Sequence, residues 1–522
     1  MTTLTRQSRP GTPGLEAYPR RWLALAVLCV SLLIVTLDNT VLNVVLPTLV
    51  RDLNATDSQL QWIVDSYVMV FAGLLLVAGS VADRVGRKPT FLAGLGLFAA
   101  GSTWAAFSGS VGMLMAARAS MGIGGALIMP STLAIITNMF TDHGERQRAI
   151  GVWAGTSGLG IALGPIIGGL LLAHFWWGSV FLINVPIAVL GVACAVPLVP
   201  NSRNRAAAKP DITGSLLSIA ALGLLLWAII EAPSEGWTSG LVLATGLGGL
   251  AVLGGFGWWE RTTSHPMLRL EFFRRPSFSG AISSVGLATL GLFGALFVLT
   301  QYLQFDLGYS PLQAGVRVLP AAGAIAVVAP LSTVLLRAIG TKLTAAAGLV
   351  VVGVGLWQIS TASVTTTYTG TLAGMIMLGV GAGLVIPTAT SSVMASVPAE
   401  HTGIGSATNG AFLQVGGALG VAIIGSLLNS RYQSHITAAL APFHPPRAIM
   451  DTVTGSVGGA LAVAAHLGGS LGAQLAELAR SAFVTGMDVG LTVAACVALL
   501  GAVLALVWLP DHVGPARGHR GR

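Results

Sequence analysis

Fourteen apolar stretches, each near or above the ~20 residues that cross a hydrocarbon core about 30 Å thick, run through this chain. They fall into a set of six, then a pair, then a second set of six. The first six lie near 22–48, 60–82, 90–108, 112–140, 148–172 and 180–200. The pair and the second six lie near 212–231, 238–258, 279–305, 316–338, 344–361, 369–395, 407–428 and 484–509.

Lipid is therefore the solvent for most of the chain. Hydrophobic residues make up 54% of the sequence and charged residues only 9%, which is too little polar surface for a water-soluble protein of 522 residues. The stretches are rich in Val, Leu and Ala and show no alternation of period two, so helices rather than a barrel would satisfy the backbone hydrogen bonds. The sequence predicts an all-α integral membrane protein.

The basic residues give an orientation. If the N-terminus is inside, most of the 27 Lys and Arg fall in segments on the inner side of the membrane. The inner segments of membrane proteins typically carry such an excess of basic residues. We expect a multi-pass protein of the cell (inner, cytoplasmic) membrane with both termini cytoplasmic. The formal charge of +8 then has a topological cause, so it predicts contact with the lipid bilayer and no nucleic-acid partner.

The chain contains an internal repeat. Met121 to Pro130 matches Leu378 to Pro387 with Gly, Gly, Leu and Pro in place, an offset of 257 (387 minus 130). Three glycines in the fifth stretch recur in the thirteenth at an offset of 256. Gly160, Gly164 and Gly169 correspond to Gly416, Gly420 and Gly425. Duplicated six-helix bundles with a substrate cavity between them are a transporter architecture.

This repeat divides the chain. We expect a cytoplasmic tail at 1–21, a six-helix bundle at 22–200 and a two-helix insertion with a cytoplasmic linker at 201–260. A second six-helix bundle at 261–510 and a tail at 511–522 follow. Residues 429–483, within the second bundle, form an extracytoplasmic segment that is either a small helical hairpin or a plain linker.

Three charged residues stand inside the apolar stretches at similar depth: Asp38, Asp65 and Arg118. Ionisable groups in lipid are costly and mark function by default, and a carboxylate near an Arg can bind and release a proton. We interpret these three as proton-coupling residues, with Asp38 the principal proton carrier, Asp65 the runner-up and Arg118 the modulator.

Neutral polar groups predict the substrate cavity. Asn39 and Asn43 lie one turn apart beside Asp38, and Asn409 and Gln414 lie in the second half. The tenth to thirteenth stretches hold no deeply buried carboxylate. Monocations or neutral compounds are therefore expected as substrates more than doubly charged cations.

The loop after the second stretch has a specific pattern. Its residues are Gly79, Asp83, Arg84, Gly86, Arg87 and Lys88. Glycine permits a chain reversal there, Asp can face a helix N-terminus, and the basic groups suit an anionic membrane surface. This loop resembles the signature of the major facilitator superfamily.

Nearly the whole chain resembles the fourteen-span drug:proton antiporters of that superfamily, the type that exports quaternary ammonium compounds. The matching segments are Leu37 to Pro47, Trp62 to Tyr67, Arg118 with Gly122, Gly160 to Gly169, and Phe181 to Pro186. The resemblance implies that the glycine-rich run of the fifth span, with Gly160, Gly164, Pro165, Gly168 and Gly169, makes bendable contacts during gating. It also implies that Asp83 faces the start of span thirteen, near Gly405, in the outward-open form.

Two features depart from the family pattern. Arg337 stands at the second-half position that corresponds to Asp83, so a latch of this kind exists on one side only. The stretch before Phe181, which carries an Arg in relatives, is Trp176-Trp177-Gly178-Ser179.

The resemblance implies a proton-coupled antiporter that exports hydrophobic or cationic drug-like compounds by alternating access. A proton-coupled importer of a small organic solute on the same fold, or a non-transporting membrane scaffold, are the alternatives. The sequence has no phosphate-binding loop of the Gly-x4-Gly-Lys-Ser/Thr kind. We expect a monomer that is not an enzyme and that uses no cofactor and no metal.

Overall fold

A computed structural model describes residues 18–203, 209–398 and 402–511, and the regular secondary structure of these residues is helical throughout. The first half contains α1 (Arg21–Leu53), α2 (Asp57–Val85), α3 (Arg87–Ala106), α4 (Val111–Met139), α5 (His143–His174), α6 (Ser179–Leu182) and α7 (Asn184–Leu198). The short α6 and α7 together form one span, Ser179–Leu198.

The inserted pair is α8 (Ile212–Glu235) and α9 (Gly240–Thr262), and a 3₁₀ helix (Leu270–Arg274) connects it to the second half. That half contains α10 (Pro276–Gln301), which continues into a π-helical turn (Tyr302–Asp306), then α11 (Pro311–Ser360), α12 (Tyr368–Ser396) and α13 (Thr402–Leu440). A 3₁₀ turn (Ala441–Phe443), α14 (Arg447–Gly455), α15 (Val457–Leu467) and α16 (Gly469–Trp508) complete the described chain.

The predicted spans agree with these helices. In the described residues, twelve helices are long and apolar enough to cross a membrane. The 50-residue α11 is one of them and contains two predicted spans, while α3 coincides with the predicted stretch at 90–108. All fourteen predicted stretches therefore lie in helices.

Local sequence signals start the helices. Thr56 and Gln59 form a reciprocal capping box at the start of α2, and Ser310 and Gln313 form the same box at the start of α11. Each box satisfies backbone N–H groups that have no partner within the helix. Because α2 and α11 are the second helices of their respective halves, the capping signal repeats along with the fold.

Two glycines reverse the chain at equivalent places. Gly86 (φ 132°) lies between α2 and α3, and Gly340 (φ 84°, ψ 172°) is a non-helical residue within α11. A side chain would strain either backbone conformation. Gly340 therefore separates the two predicted spans of α11, and no loop is needed between them.

Backbone hydrogen bonds fix both reversals. Arg87 N donates to Ser202 O (3.0 Å), just after the sixth span, and Thr341 N donates to Asp511 O (2.9 Å), just after the last. The third helix of each half is thus tied to the chain that leaves its sixth helix. We call this side of the bundle, where α1 also begins, the Arg21 end, and the opposite side, where α5 ends, the His174 end.

Most of residues 429–483 are helical, which agrees with the hairpin alternative rather than with a plain linker. Tyr432 donates a hydrogen bond to Val453 O (2.8 Å) and holds the end of α13 to α14. Gly458 of α15 packs tightly against Val50 and Phe305. The segment therefore covers the His174 end of α1 and α10.

Candidate functional site

A carboxylate and a guanidinium meet inside the first half. Asp38 of α1 is 2% exposed and Arg118 of α4 is fully buried, and Nη1 of Arg118 pairs with Oδ2 of Asp38. Nε of Arg118 donates to Ile63 O of α2 at 3.3 Å. Three helices thus converge on one ion pair, as the sequence predicted for Asp38 and Arg118.

Two further residues complete this pair, and sequence reasoning did not single them out. Nδ2 of Asn184 donates to Oδ1 of Asp38 (3.1 Å) and lies 3.3 Å from Ser102 Oγ. The ring of Tyr67 lies 4.4 Å from the guanidinium carbon of Arg118, close enough for a cation–π contact. The family resemblance is the one sequence feature that could have identified Asn184 and Tyr67, because both residues lie in segments that match the family.

The network restricts what can happen to the Asp38 charge. Both carboxylate oxygens have a partner, whereas Oδ1 of Asn184 has none within the described chain. Removing one partner of a buried ion pair leaves an uncompensated charge, so the protonation of Asp38 and the position of Arg118 are coupled. A change at either residue therefore requires the surrounding helices to rearrange.

Asp65 lies outside this network. It is two residues from Tyr67, about 200° around α2, and therefore on nearly the opposite face of the helix. That face also carries Gln61, which accepts a hydrogen bond from Ser426 of α13 (3.2 Å). Both carboxyl oxygens of Asp65 are buried with no hydrogen-bond partner in the described residues. The structure thus separates Asp65 from Asp38 and Arg118 and places it on the α2 face that carries a contact with the second half.

A narrow apolar cavity lies between α1 and α5 of the first half and α10 and α11 of the second. Thr40, Asn43 and Thr300 supply its polar groups, and Phe293 and Pro165 are among the apolar residues. Among the residues that the structure describes, no charged residue lines the cavity. Its character suits an apolar ligand with few polar groups.

Of the four predicted cavity residues, Asn43 lines this space. Asn39 bonds to Val35 O of its own helix at 3.4 Å, and Asn409 exchanges hydrogen bonds with Thr390 of α12. Gln414 is partly buried on α13 and is not in the cavity lining.

The predicted gating loop is folded onto the first half. Arg87 pairs with Asp83 (2.8 Å) and donates to Ala134 O of α4 (3.1 Å), and Lys88 donates to Val196 O (2.6 Å). Gly79 packs on Pro130 of α4, and Arg84 is exposed.

Gly405 packs on Val397, and Asp83 is held by Arg87. The contact of Asp83 with the start of α13 is predicted for the outward-open form. In this structure Asp83 makes its ion pair within the first half.

The five predicted gating residues of α5 make two kinds of contact. Gly160 packs on Thr36, Gly164 on Thr40 and Gly168 on Val41, so α5 lies directly against α1. In the second half, Gly416 and Gly420 pack on α10 in the same way.

The remaining two of these α5 residues, Pro165 and Gly169, face the second half. Gly169 lies against Leu312 of α11, and Pro165 O lies against Gly315. The duplicated counterpart of Gly169 is Gly425, which packs on Gln61 of α2. The last glycine of each run therefore contacts the second helix of the other half.

These contacts lie toward the His174 end. Gln304 also bridges the halves there, donating to Val44 O at 3.0 Å. Toward the Arg21 end, an added Cβ at Gly151, Gly155 or Gly158 of α5 would meet no neighbouring atom of the described residues within 4 Å. Along α5, the two halves are thus packed together toward the His174 end, and these three glycines of α5 meet no part of the second half that the structure describes.

Two similar helical halves, a buried ion pair in one of them and a cavity between them define a membrane transporter. The family comparison agrees with this class. The model of the Major Facilitator Superfamily matches residues 28–421, and the chain belongs to that family.

Relatives extend over nearly the full length. The chain is 36% identical to "Multidrug efflux pump LfrA" of Mycolicibacterium smegmatis, over 95% of this chain and 97% of that protein. It is 32% identical to "Tetracenomycin C resistance and export protein" of Streptomyces glaucescens, over 97% and 95%. It is 34% identical to "Methyl viologen resistance protein SmvA" of Salmonella typhimurium, over 93% and 97%.

Among solved structures, a bacterial homologue of the human lysosomal transporter Spinster, in an inward-facing and unoccupied conformation, matches with a TM-score of 0.66. The match covers 97% of this chain and 100% of the other at 17% identity, so it supports the fold.

Proposed function

We propose that this protein is a proton-coupled antiporter that exports hydrophobic or cationic drug-like compounds by alternating access. The observation that carries the proposal is the buried Asp38–Arg118 pair, which has no structural necessity in a membrane helix bundle and is costly to keep. The names of the relatives, which are efflux and resistance proteins, support export and this substrate class.

Asp38 binds the proton in this mechanism. Export driven by proton entry requires that protonation and substrate occupancy be coupled. Protonation of Asp38 releases Arg118 from its ion pair, and the freed guanidinium then favours a different arrangement of α1, α2 and α4. The same α1 carries Asn43 and Thr40 into the cavity, so the proton site and the substrate site share one helix.

Asp65 is the second candidate for proton exchange. A lone buried carboxylate is costly, whereas the protonated acid is neutral. Because Asp65 lies on the face of α2 that meets α13, its ionisation would act on the contact between the halves rather than on the Asp38–Arg118 pair.

The sequence supports the orientation of the proposed transporter. We infer a monomer in the cytoplasmic membrane with the Arg21 end facing the cytoplasm, since most basic residues lie at that end. A Met450→Cys variant, with the other cysteines removed, should react with an impermeant thiol reagent from outside only. Labelling from inside only would contradict the orientation.

Efflux in inverted membrane vesicles tests the function. With a fluorescent lipophilic monocation and an imposed proton gradient, the wild type should accumulate the dye until a protonophore is added. Asp38→Asn mimics the protonated state and should abolish accumulation while the folded protein remains. Asp57→Asn is the matched control, because Asp57 is also buried and is the first residue of α2, away from the ion pair.

The outcomes separate the possibilities. If Asp38→Asn still accumulates dye against a gradient with protonophore sensitivity intact, the assignment of Asp38 is wrong and Asp65→Asn becomes the variant to measure. If the wild type accumulates no dye but whole cells take up a solute with protons, the importer alternative replaces the exporter. Arg118→Lys should shift the pH optimum of efflux as well as its rate.

A further inference from the structure

Three polar side chains meet where α2 of the first half packs on α13 of the second, toward the His174 end. Gln61 and Asp65 of α2 and Ser426 of α13 are all fully buried. Oγ of Ser426 donates to Oε1 of Gln61 at 3.2 Å, and an added Cβ at Gly425 would lie 3.0 Å from Nε2 of Gln61. The amide of Gln61 therefore lies in the contact between the halves. We call Ser426, Gln61 and Asp65 the α2–α13 clasp.

The clasp contains an unpaired donor and an unpaired carboxyl group. Nε2 of Gln61 and both carboxyl oxygens of Asp65 have no hydrogen-bond partner among the described residues. Asp65 follows Gln61 by four positions of α2, so the two are neighbours on one helix face, with Cβ atoms about 5–6 Å apart. Gln and Asp at this spacing form hydrogen bonds, and buried polar groups are normally paired. The two side chains therefore suit each other as partners.

The duplicated contact on the other side of the molecule is made without polar side chains. The capping boxes that begin α2 and α11 lie 254 positions apart (310 minus 56), which is also the offset of the two chain reversals (340 minus 86). At this offset Gln61 corresponds to Gly315 and Asp65 to Leu319. Gly315 packs directly on Pro165 O of α5. Close packing between the halves thus does not need the polar groups of the clasp, which points to another role for them.

No basic residue balances a charge on Asp65. Among the residues that the structure describes, Asp65 has no salt bridge, and Arg118 lies across α2 beside Tyr67 and Asp38. Glu231 of α8 accepts a hydrogen bond from Trp62 Nε1 at 2.9 Å. The other charged or tyrosine side chains on α2 and on the helices packed against it lie toward the ends of these helices: Arg21, Arg51, Asp52, Asp57, Asp83, Arg84, Arg87, Lys88, Glu235, Arg431, Tyr432 and His435. The closed clasp therefore accommodates the neutral acid better than the carboxylate.

We propose that the His174 end closes on Asp65 only when this residue carries a proton, and that Gln61 is the positioning residue that joins the acid to α13. In the closed form one carboxyl oxygen of Asp65 holds the proton, and the other accepts a hydrogen bond from Nε2 of Gln61, whose Oε1 still accepts from Ser426. Opening of the clasp exposes Asp65 to water, which takes up the proton. The meaning of this inference for transport rests on the proposed function, whereas the closing itself needs no substrate.

This proton dependence couples the return step of an antiporter to proton entry. After substrate has left at the His174 end, the protein closes there only once Asp65 has bound a proton from that side. An empty return without a proton is therefore disfavoured, which is the coupling that export requires. Asp38 and Asp65 then have different tasks. Asp38 links a proton to the arrangement of the helices around Arg118, and Asp65 links a proton to the contact between the halves.

Distances between two spin labels test the clasp in the absence of substrate. Labels at Asp52→Cys, at the exposed end of α1, and at Ser434→Cys, on the exposed side of α13, report the His174 end in the full-length protein with its other cysteines removed. Because the neutral acid favours the closed form, the open population should rise as the pH rises. Asp65→Asn is neutral at every pH, so it should stay closed and lose this response. Asp65→Leu, which introduces the residue of the duplicated position, should do the same.

Gln61→Leu tests the positioning role. Leucine has no amide, so the acid loses its partner in the closed form, and the midpoint of opening should move about one pH unit lower, the shift expected for one hydrogen bond. Ser426→Ala is the matched control, because it removes the same bond to α13 but leaves the amide beside Asp65, and it should shift the midpoint less. Combined with Asp65→Leu, Gln61→Leu should stay closed at every pH, whereas damaged packing would open the double variant.

Two further variants show whether the response belongs to Asp65. Asp57→Asn should keep it, because the amides at the start of α2 stabilise the Asp57 carboxylate whether the clasp is open or closed. Asp38→Asn should keep it as well, since Asp38 lies across α2 from the clasp.

Either part of the proposal can be overturned. Label distances that do not change with pH, a response that survives Asp65→Asn, or a response that Asp38→Asn removes would exclude Asp65 as the group that controls closing. Equal midpoint shifts in Gln61→Leu and Ser426→Ala would exclude the positioning role of Gln61. A clasp that responds as expected in a protein that accumulates no dye would contradict the proposed export alone, so the two failures are distinguishable.

Discussion

Arg118 in α4 and Met375 in α12 occupy duplicated positions, at the same offset of 257 that relates the two halves (375 minus 118). Both side chains are fully buried. In the first half the guanidinium pairs with Asp38, and in the second half a flexible apolar side chain fills the same place. The two halves therefore bury a side chain at the same place in the packing, and only the first half places a charge there.

The comparison separates the features that serve helix packing, which both halves share, from the ion pair, which only the first half has. The glycine contacts of α5 on α1 recur as contacts of α13 on α10, and the reversals at Gly86 and Gly340 recur as well. These shared features allow helices to pack closely and the halves to move as units. The ion pair is not shared, so we assign proton binding to the first half alone.

Arg118→Met would give the first half the residue of the second, and it should have the largest effect. It leaves Asp38 buried without its counter-charge, and removing one partner of a buried pair costs about 3–5 kcal/mol. Thermal unfolding in detergent measures the loss. The double variant with Asp38→Asn should recover most of it, and a double variant as unstable as Arg118→Met would show that the charge is not the cause.

Gly420→Ala should destabilise more than Gly164→Ala at the duplicated position. A Cβ at Gly420 would press on the backbone of Leu290, with its Cα at 2.9 Å, whereas at Gly164 it meets mainly the side chain of Thr40. Overpacking of this kind costs about 1–3 kcal/mol, and backbone yields less than a side chain. The unfolding midpoints of the two variants measure their stabilities. Equal losses of stability in Gly420→Ala and Gly164→Ala would contradict this prediction.

Gly169→Ala should shift the protein toward a form open at the His174 end. The added Cβ would lie 2.5 Å from Leu312 Cα, so the contact between the halves must loosen by an amount worth about 1–2 kcal/mol. At Gly425 the neighbour is the side chain of Gln61, which can move, and the shift should be smaller. Distances between spin labels on α5 and α11 report the population, and no change in Gly169→Ala would contradict the role of this contact.

Trp62→Phe tests how the inserted pair divides its contacts between the halves, and its effect should be the smallest. Trp62 of α2 donates to Glu231 of α8 at 2.9 Å, and losing one hydrogen bond costs about 0.5–1.5 kcal/mol. Trp237→Phe loses only an exposed 3.3 Å bond to Ser430 of α13 and should cost less. The reverse order in thermal unfolding would show that α8 belongs to the second half.

Sequence reasoning predicted the helices because the length of an apolar stretch is a local property. It predicted the two halves because the glycine patterns repeat at a fixed offset. It also predicted that Asp38 and Arg118 belong together, since two opposite charges in lipid are costly apart.

What it could not predict depends on helix rotation and on distant contacts. Asp65 shares the depth of Asp38, but the sequence does not state which face of α2 meets α4. Asn184 approaches Asp38 across 146 positions of chain, and an asparagine near a helix start is too common to single out. The glycine contacts of Gly169 and Gly425 with the opposite half need the packed structure as well.

The two duplicated contacts at the His174 end, Gly169 on Leu312 and Gly425 on Gln61, have a kinetic consequence. A rocking motion about an axis between the halves breaks both in one step, so both contribute to a single activation barrier. Because the two sites share no residues, their contributions to the logarithm of the opening rate should add. Turnover can then be tuned in small steps from either side of the axis, without touching the residues proposed to bind the proton or the substrate.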